Sequence, residues 1–121
     1  MNYKDLLNKI KSDKLELEEV KVNVKYINHD RQVGLIDMML NSCIIKDKEI
    51  YHVDYVTKNM SLCLAILDNF TNIEDIDKLI ESGKTDIIIE LCDIVRYESE
   101  LYDYVTGSLK NYNEVVDLIN V

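Results

Sequence analysis

The side chains able to do chemistry are few and scattered. His29 and His52 have no cysteine, histidine or carboxylate at the local spacings that metal ligands use. Cys43, Cys63 and Cys92 include no Cys-x-x-Cys, and an odd number cannot all pair. Each lies inside an apolar helical pattern, so all three read as buried free thiols of a reducing compartment. A Cys–His nucleophilic pair would have to meet in space, which spacing along the chain does not address. Gly34, Gly83 and Gly107 are isolated. Neither the dinucleotide fingerprint nor the phosphate-binding loop can be written around them, and there is no Gly-x-Ser-x-Gly elbow. Carboxylate pairs such as Asp75/Asp77 and Glu98/Glu100 read as solvated faces rather than acid–base machinery. The expectation is a protein that is not an enzyme, with no cofactor and no metal.

The more informative side chains are tyrosines and acids. Residues 1–67 hold ten acids and ten bases, whereas residues 68–121 hold thirteen acids against four bases. The net charge of −9 therefore belongs to the C-terminal half. A field of that sign repels phosphate backbones, so direct nucleic-acid binding is not expected, and it attracts basic protein surfaces. Tyr97, Tyr102, Tyr104 and Tyr112 crowd the last quarter and cannot share one helical face. Tyrosine supplies rigid, amphipathic contact area at interfaces. The candidate partner-binding surface is thus Tyr97, Glu98, Glu100, Tyr102, Asp103 and Tyr104. Its bland counterpart is a solubilising acidic face over core tyrosines with wet hydroxyls. The partners expected are proteins with a basic surface, with a homo-oligomer or larger assembly as a further possibility.

These residues need elements to position them. A chain of 121 residues, 47% of them hydrophobic, suits one domain spanning 1–121 with its own core. No uninterrupted apolar run approaches the roughly 20 residues of a membrane span. The charged start at Met1-Asn2-Tyr3-Lys4-Asp5 is unlike a secretory signal, so a cytoplasmic location is expected. Tyr3, Leu6, Leu7 and Ile10 mark a first short helix ending near Ser12-Asp13. Val20, Val22, Val24 and Tyr26 then alternate with polar residues, which predicts a half-buried strand. Its partner is either a hairpin formed by Ile44-Ile45 and Ile50-Tyr51-His52-Val53 or another chain. A second helix starts at Asn28 or Asp30, with Val33, Ile36, Leu40 and Cys43 inward, Leu35, Met38 and Met39 widening that face, and Gly34 marking a close helix contact. A third, capped by Asp54, carries Val56, Met60, Cys63, Leu64, Leu67 and Phe70 and reads as the central core helix. Thr71-Asn72-Ile73-Glu74 has the form of a capping box opening a short helix that Gly83 ends. A further helix spans Asp86 to Val95. Two more follow, separated at Gly107-Ser108 or at Asn111-Tyr112-Asn113. The fold class is mainly α, with about five to six helices and one short β strand or hairpin near residues 20–26 and 44–53.

From Lys25 to Asn72 the order of features is distinctive. A Lys/Tyr-ended strand leads to the helix Arg31-Gln32-Val33-Gly34-Leu35-Ile36-Asp37-Met38-Met39-Leu40 and a Cys43-Ile44-Ile45 turn. Ile50-Tyr51-His52-Val53-Asp54, a long apolar helix and Phe70-Thr71-Asn72-Ile73 complete it. This layout resembles small proteins encoded by bacteriophages of low-GC Gram-positive hosts, often among virion and tail-assembly genes. The resemblance implies a virion, assembly or accessory protein in the host cytoplasm or the virion, with no enzymatic residues to carry over. The alternative is an acidic inhibitor that occupies a basic site on a nucleic-acid-handling host protein.

Overall fold

Local capping chemistry sets where the helices begin. A computed structural model describes residues 1–23, 26–47 and 50–119, those of 38–47, 50–53 and 118–119 by their backbone alone. The protein is mainly helical, with seven α-helices among the described residues. They are α1 (Tyr3–Lys11), α2 (His29–Cys43), α3 (Tyr55–Phe70), α4 (Ile76–Ser82), α5 (Thr85–Tyr97), α6 (Leu101–Ser108) and α7 (Tyr112–Ile119). Between α2 and α3, β1 (Ile44–Asp47) and β2 (Ile50–Val53) pair antiparallel, with Ile44 opposite Val53 and Asp47 opposite Ile50.

The cap of α3 is the firmest of these starts. Asp54 accepts from the amides of Val56 (3.1 Å) and Thr57 (3.2 Å) and from the Thr57 hydroxyl (2.7 Å). The hydroxyl bond first, then the amide bonds, hold the Asp54 carboxyl below its ordinary value of 3.8. A depressed carboxyl contributes stability that is present above 3.8 and is lost as pH falls through the lower folded value. We expect Asp54→Asn to flatten that acid limb in urea melts recorded across the pH range below 4. An unchanged limb would show that the cap does not titrate with folding. Asp68 works in the opposite sense, because burial, followed by the nearby Asp77, raises its carboxyl.

From this start α3 buries Cys63, Leu64, Leu67 and Phe70 and packs against α2, α4, α5 and α6, as a central helix should. Met60 is partly buried, and Val56, expected inward, is 67% exposed. It lies in the first turn, at the end of the helix. In α2 the cap is Asn28, whose side chain accepts from the Arg31 amide at 2.9 Å. The inward face there begins with Gln32 and Leu35, not Val33, which is 47% exposed. Gln32 is drawn inward because its side-chain amide donates to the Ile27 carbonyl at 2.9 Å. Leu40 and Cys43 lie outside the residues whose side chains are described. Gly34 marks no close helix contact, since a methyl group built there would meet nothing within 4 Å.

The segment before α2 departs from the expected strand. Leu17–Glu19 forms a short 3-10 turn, and Val22 makes one isolated antiparallel bridge to Thr71. Lys21 and Asn72 exchange bonds, Lys21 N–H to the Asn72 side chain at 2.9 Å and Asn72 N–H to the Lys21 carbonyl at 3.1 Å. The Asn23 amide donates to the Phe70 carbonyl at 2.9 Å. Val24 and Lys25 lie outside the described residues. Tyr26, expected inward, is exposed, and Ile27 is buried in its place. The segment is a strap across the end of α3, and among the described residues the hairpin pairs only with itself.

The strap also explains why Thr71-Asn72-Ile73-Glu74 is not a capping box. Thr71 is extended and donates its hydroxyl to the Leu67 carbonyl. The Glu74 amide donates to the Met1 carbonyl (2.8 Å), and its carbonyl accepts from Tyr3 (3.2 Å). With its backbone engaged on both sides, this link cannot enter a helix. α4 begins only after Asp75, a left-handed residue at φ 67°. The sequence does hold a capping box elsewhere, Asn2 with Asp5 at the start of α1. Gly83 ends α4 at φ 66°, in the left-handed conformation that glycine adopts without a Cβ clash.

The inward faces meet in one continuous cluster. Leu6 of α1, Val20 and Ile27 of the strap, the α3 stripe, Ile76 and Leu79, Leu91 and Val95, Leu101 and Val105, and Val115 all belong to it. Lys11 on α1 reaches Glu90 on α5, and Lys9 reaches Glu19 at 2.5 Å. These exposed pairs orient α1 more than they stabilise it.

Candidate protein-binding site

The candidate residues fall on the corner where α5 turns into α6. Ser99 makes the corner: its hydroxyl donates to the Val95 carbonyl (3.0 Å) and accepts from the Leu101 amide (3.3 Å). One side chain thus finishes one helix and starts the next. Tyr97 is the last residue of α5 and is 73% exposed. Glu98 and Glu100 flank Ser99 and are exposed, as is Asp103 in the first turn of α6.

Tyr102 and Tyr104 are placed differently. Both are partly buried and packed against the core, on either side of the Leu101–Val105–Leu109 stripe. The Tyr102 hydroxyl lies 2.7 Å from that of Tyr112. Burial, then this hydroxyl contact, raises the Tyr102 phenol above its ordinary range, so it stays neutral. Arg96 stacks on the same ring, its guanidinium 4.6 Å from the Tyr102 centroid and 5.9 Å from that of Tyr97. Two of its nitrogens, Nε and Nη1, are buried without a hydrogen-bond partner among the described residues. The ring faces offer part of the compensation that such a cation needs. The candidate set thus divides into an exposed part (Tyr97, Glu98, Glu100, Asp103) and a tyrosine–arginine support beneath it. Arg96 and Tyr112, neither of them in the candidate set, complete that support. The tyrosine count was the available signal, and the single arginine of the C-terminal half was its natural counterpart.

The corner borders two concave regions. One, of about 260 Å³, is lined by Ile10, Leu15 and Leu17 together with Asp13, Glu98 and Glu100. The other, of about 540 Å³, lies beside α6 and includes Asp103, Thr106, Lys110 and Glu114. Tyr55 and Val56, adjacent and 68% and 67% exposed, form a separate apolar spot that sequence patterning assigned in part to the core.

Of the other reactive side chains that are described, His29 is exposed and two thiols are inside. Cys63 and Cys92 are free and buried between α3 and α5, and the Cys92 thiol points at the Met60 carbonyl (3.8 Å). A hydrogen bond with Cys92, then burial, holds the Cys63 thiol well above its usual range, which suits an inert core thiol. Among the described residues no three His, Cys, Asp or Glu side chains gather to hold a metal ion. No described helix is long and apolar enough to cross a membrane. Compared with known proteins, the chain matches no family model, no curated protein and no solved structure.

Proposed function

We propose that this chain is a non-enzymatic interaction protein that engages a basic protein surface through the α5–α6 corner. Its place would be as a small structural or assembly component of a bacteriophage, such as a tail or head–tail accessory protein. It would act in the host cytoplasm or the virion, without direct nucleic-acid or membrane contact. The observation that carries the reading is Tyr97, a 73% exposed aromatic ring at the end of α5, followed along the chain by the exposed acids Glu98, Glu100 and Asp103. Acids speed encounter with a basic partner, while the ring supplies durable contact area once water is excluded. The surplus of thirteen acids over four bases in residues 68–121 favours a second reading, an inhibitor seated on a basic nucleic-acid-handling protein. The two separate by behaviour. An assembly component self-associates or co-purifies with virion proteins, whereas an inhibitor stays monomeric and binds its host target in a salt-sensitive way.

The test uses a partner captured from infected cells and surface plasmon resonance at two ionic strengths. Neutralising Glu98, Glu100 and Asp103 to their amides is expected to slow association and flatten its salt dependence. Tyr97→Ala is expected mainly to speed dissociation, at about 2 kcal/mol if the ring is a hot spot. Wild-type association by the triple variant at low salt would reduce the acidic corner to a solubilising face.

A further inference from the structure

The smaller hollow at the corner has a composition that selects its occupant. Its floor is aliphatic, made by Ile10 at the end of α1 and by Leu15 and Leu17 in the segment that follows, all three only partly buried. Its more exposed lining, the rim, is made by the acidic residues Asp13, Glu98 and Glu100, from two stretches more than eighty residues apart in sequence, with Ser99 between the last two. No lysine or arginine is among the residues that line it. An apolar ligand would fill the floor but strip water from the carboxylates with nothing in return. A compact cation would pair with the rim and leave the floor wet. A side chain with an aliphatic stem and a cationic head satisfies both surfaces at once.

We propose that this hollow receives a lysine or arginine side chain of the protein partner, its methylene stem on Ile10, Leu15 and Leu17 and its head among Asp13, Glu98 and Glu100. This rests on the reading of the corner as a protein-binding surface and names what that surface grips. A hollow of about 260 Å³ that opens to solvent suits one such side chain, so it anchors a single residue while Tyr97 covers the contact beside it. Lysine and arginine share the required chemistry, and the arginine head can also pair with a carboxylate through two parallel bonds.

The full-length protein, labelled with nitrogen-15, would be titrated with four capped tripeptides of the form Gly-X-Gly and followed by amide shifts. X is arginine, lysine, citrulline or diaminopropionate. Citrulline keeps the stem and shape of arginine without its charge, and diaminopropionate keeps an amine on a single methylene. The arginine and lysine peptides are expected to move the amides of residues 10–17 and 98–100 together. The other two are expected to bind about tenfold more weakly or not at all. The double variant Glu98→Gln/Glu100→Gln, exposed on the surface, is expected to lose that response, and Leu15→Ser to weaken it without removing any charge. Equal binding of diaminopropionate and lysine would overturn the role of the floor. Shifts spread evenly over all acidic segments, or absent with every peptide, would overturn the hollow itself. If the peptides fail but amide substitution at Glu98, Glu100 and Asp103 still slows association with the captured partner, the interaction surface stands and only its gripping pocket falls. Peptide binding with no effect on that association would separate them the other way.

Discussion

Leu67→Ala is expected to lower the unfolding free energy by about 3–5 kcal/mol, the upper part of the range for a leucine removed from a core. Leu67 is 1% exposed on α3, and α3 packs against α2, α4, α5 and α6. The loss has two parts, the transfer free energy of the deleted isopropyl group and the cavity it leaves. The second part depends on whether neighbours can move in. A helix hemmed by four others has little freedom to shift toward the void without opening another contact, so most of the cavity should persist. For a domain of this size, whose total stability is about 5–15 kcal/mol, the variant would sit near the edge of folding. Val56→Ala on the same helix is the control. Its side chain is 67% exposed, and its truncation should stay within about 0.5 kcal/mol. Urea denaturation of both variants checks the assignment, and similar midpoints would mean that α3 is not the central helix.

The contrast between these two positions shows what the residues revealed in advance. The stripe of α3 from Cys63 to Phe70 could be read from periodicity because a continuous apolar face has few alternatives once its cap is recognised. Val56 obeyed the same periodicity, but periodicity does not say where neighbouring helices end. The misassigned Thr71-Asn72-Ile73-Glu74 fails for a different reason. Its residue types satisfy a local rule, yet its backbone is claimed by Lys21 from one side and by Met1 and Tyr3 from the other. Partners some fifty and seventy residues away cannot be inferred from a four-residue pattern. The alternation from Val20 to Tyr26 was misleading in the same way, since a strap bonded at a few points meets the core irregularly. At the site, the density of acids and tyrosines located the corner, because composition survives folding. Which tyrosine faces water did not follow. Tyr97 and Tyr102 differ only in which side of the Ser99 turn they occupy, and the partner of Tyr102 is an arginine that no spacing rule joins to it.

Asn111→Ala is expected to cost about 1–3 kcal/mol, although it removes only a small polar side chain. Asn111 is 5% exposed and serves as a two-pronged support for the strap. Its carbonyl oxygen accepts from the Ile27 amide at 3.0 Å, and its amide donates to the Ile27 carbonyl at 2.9 Å. This is the pairing that a neighbouring strand would offer, supplied by one side chain at the start of α7. The Ile27 carbonyl keeps a second donor in Gln32, but its amide would be left buried without an acceptor. The large cost comes from that orphaned donor and not from the bonds as such. Asn111→Asp sharpens the argument. The carboxylate still accepts from the Ile27 amide but sets a second anionic oxygen against the Ile27 carbonyl. Protonation turns that oxygen into a donor, so the new carboxyl should titrate above the ordinary range when folded. Its destabilisation should then be fullest above the folded value and should recede as pH falls through it. Melts of the Asp variant at neutral and mildly acidic pH, with hydrogen exchange at the Ile27 amide, would reveal both effects. If Asn111→Ala leaves that amide protected and the melting midpoint unmoved, the strap is held by Val20 and Ile27 packing and by its bonds to Asn72 and Phe70, without need of Asn111. The polar support would then be a consequence of the fold and not one of its causes.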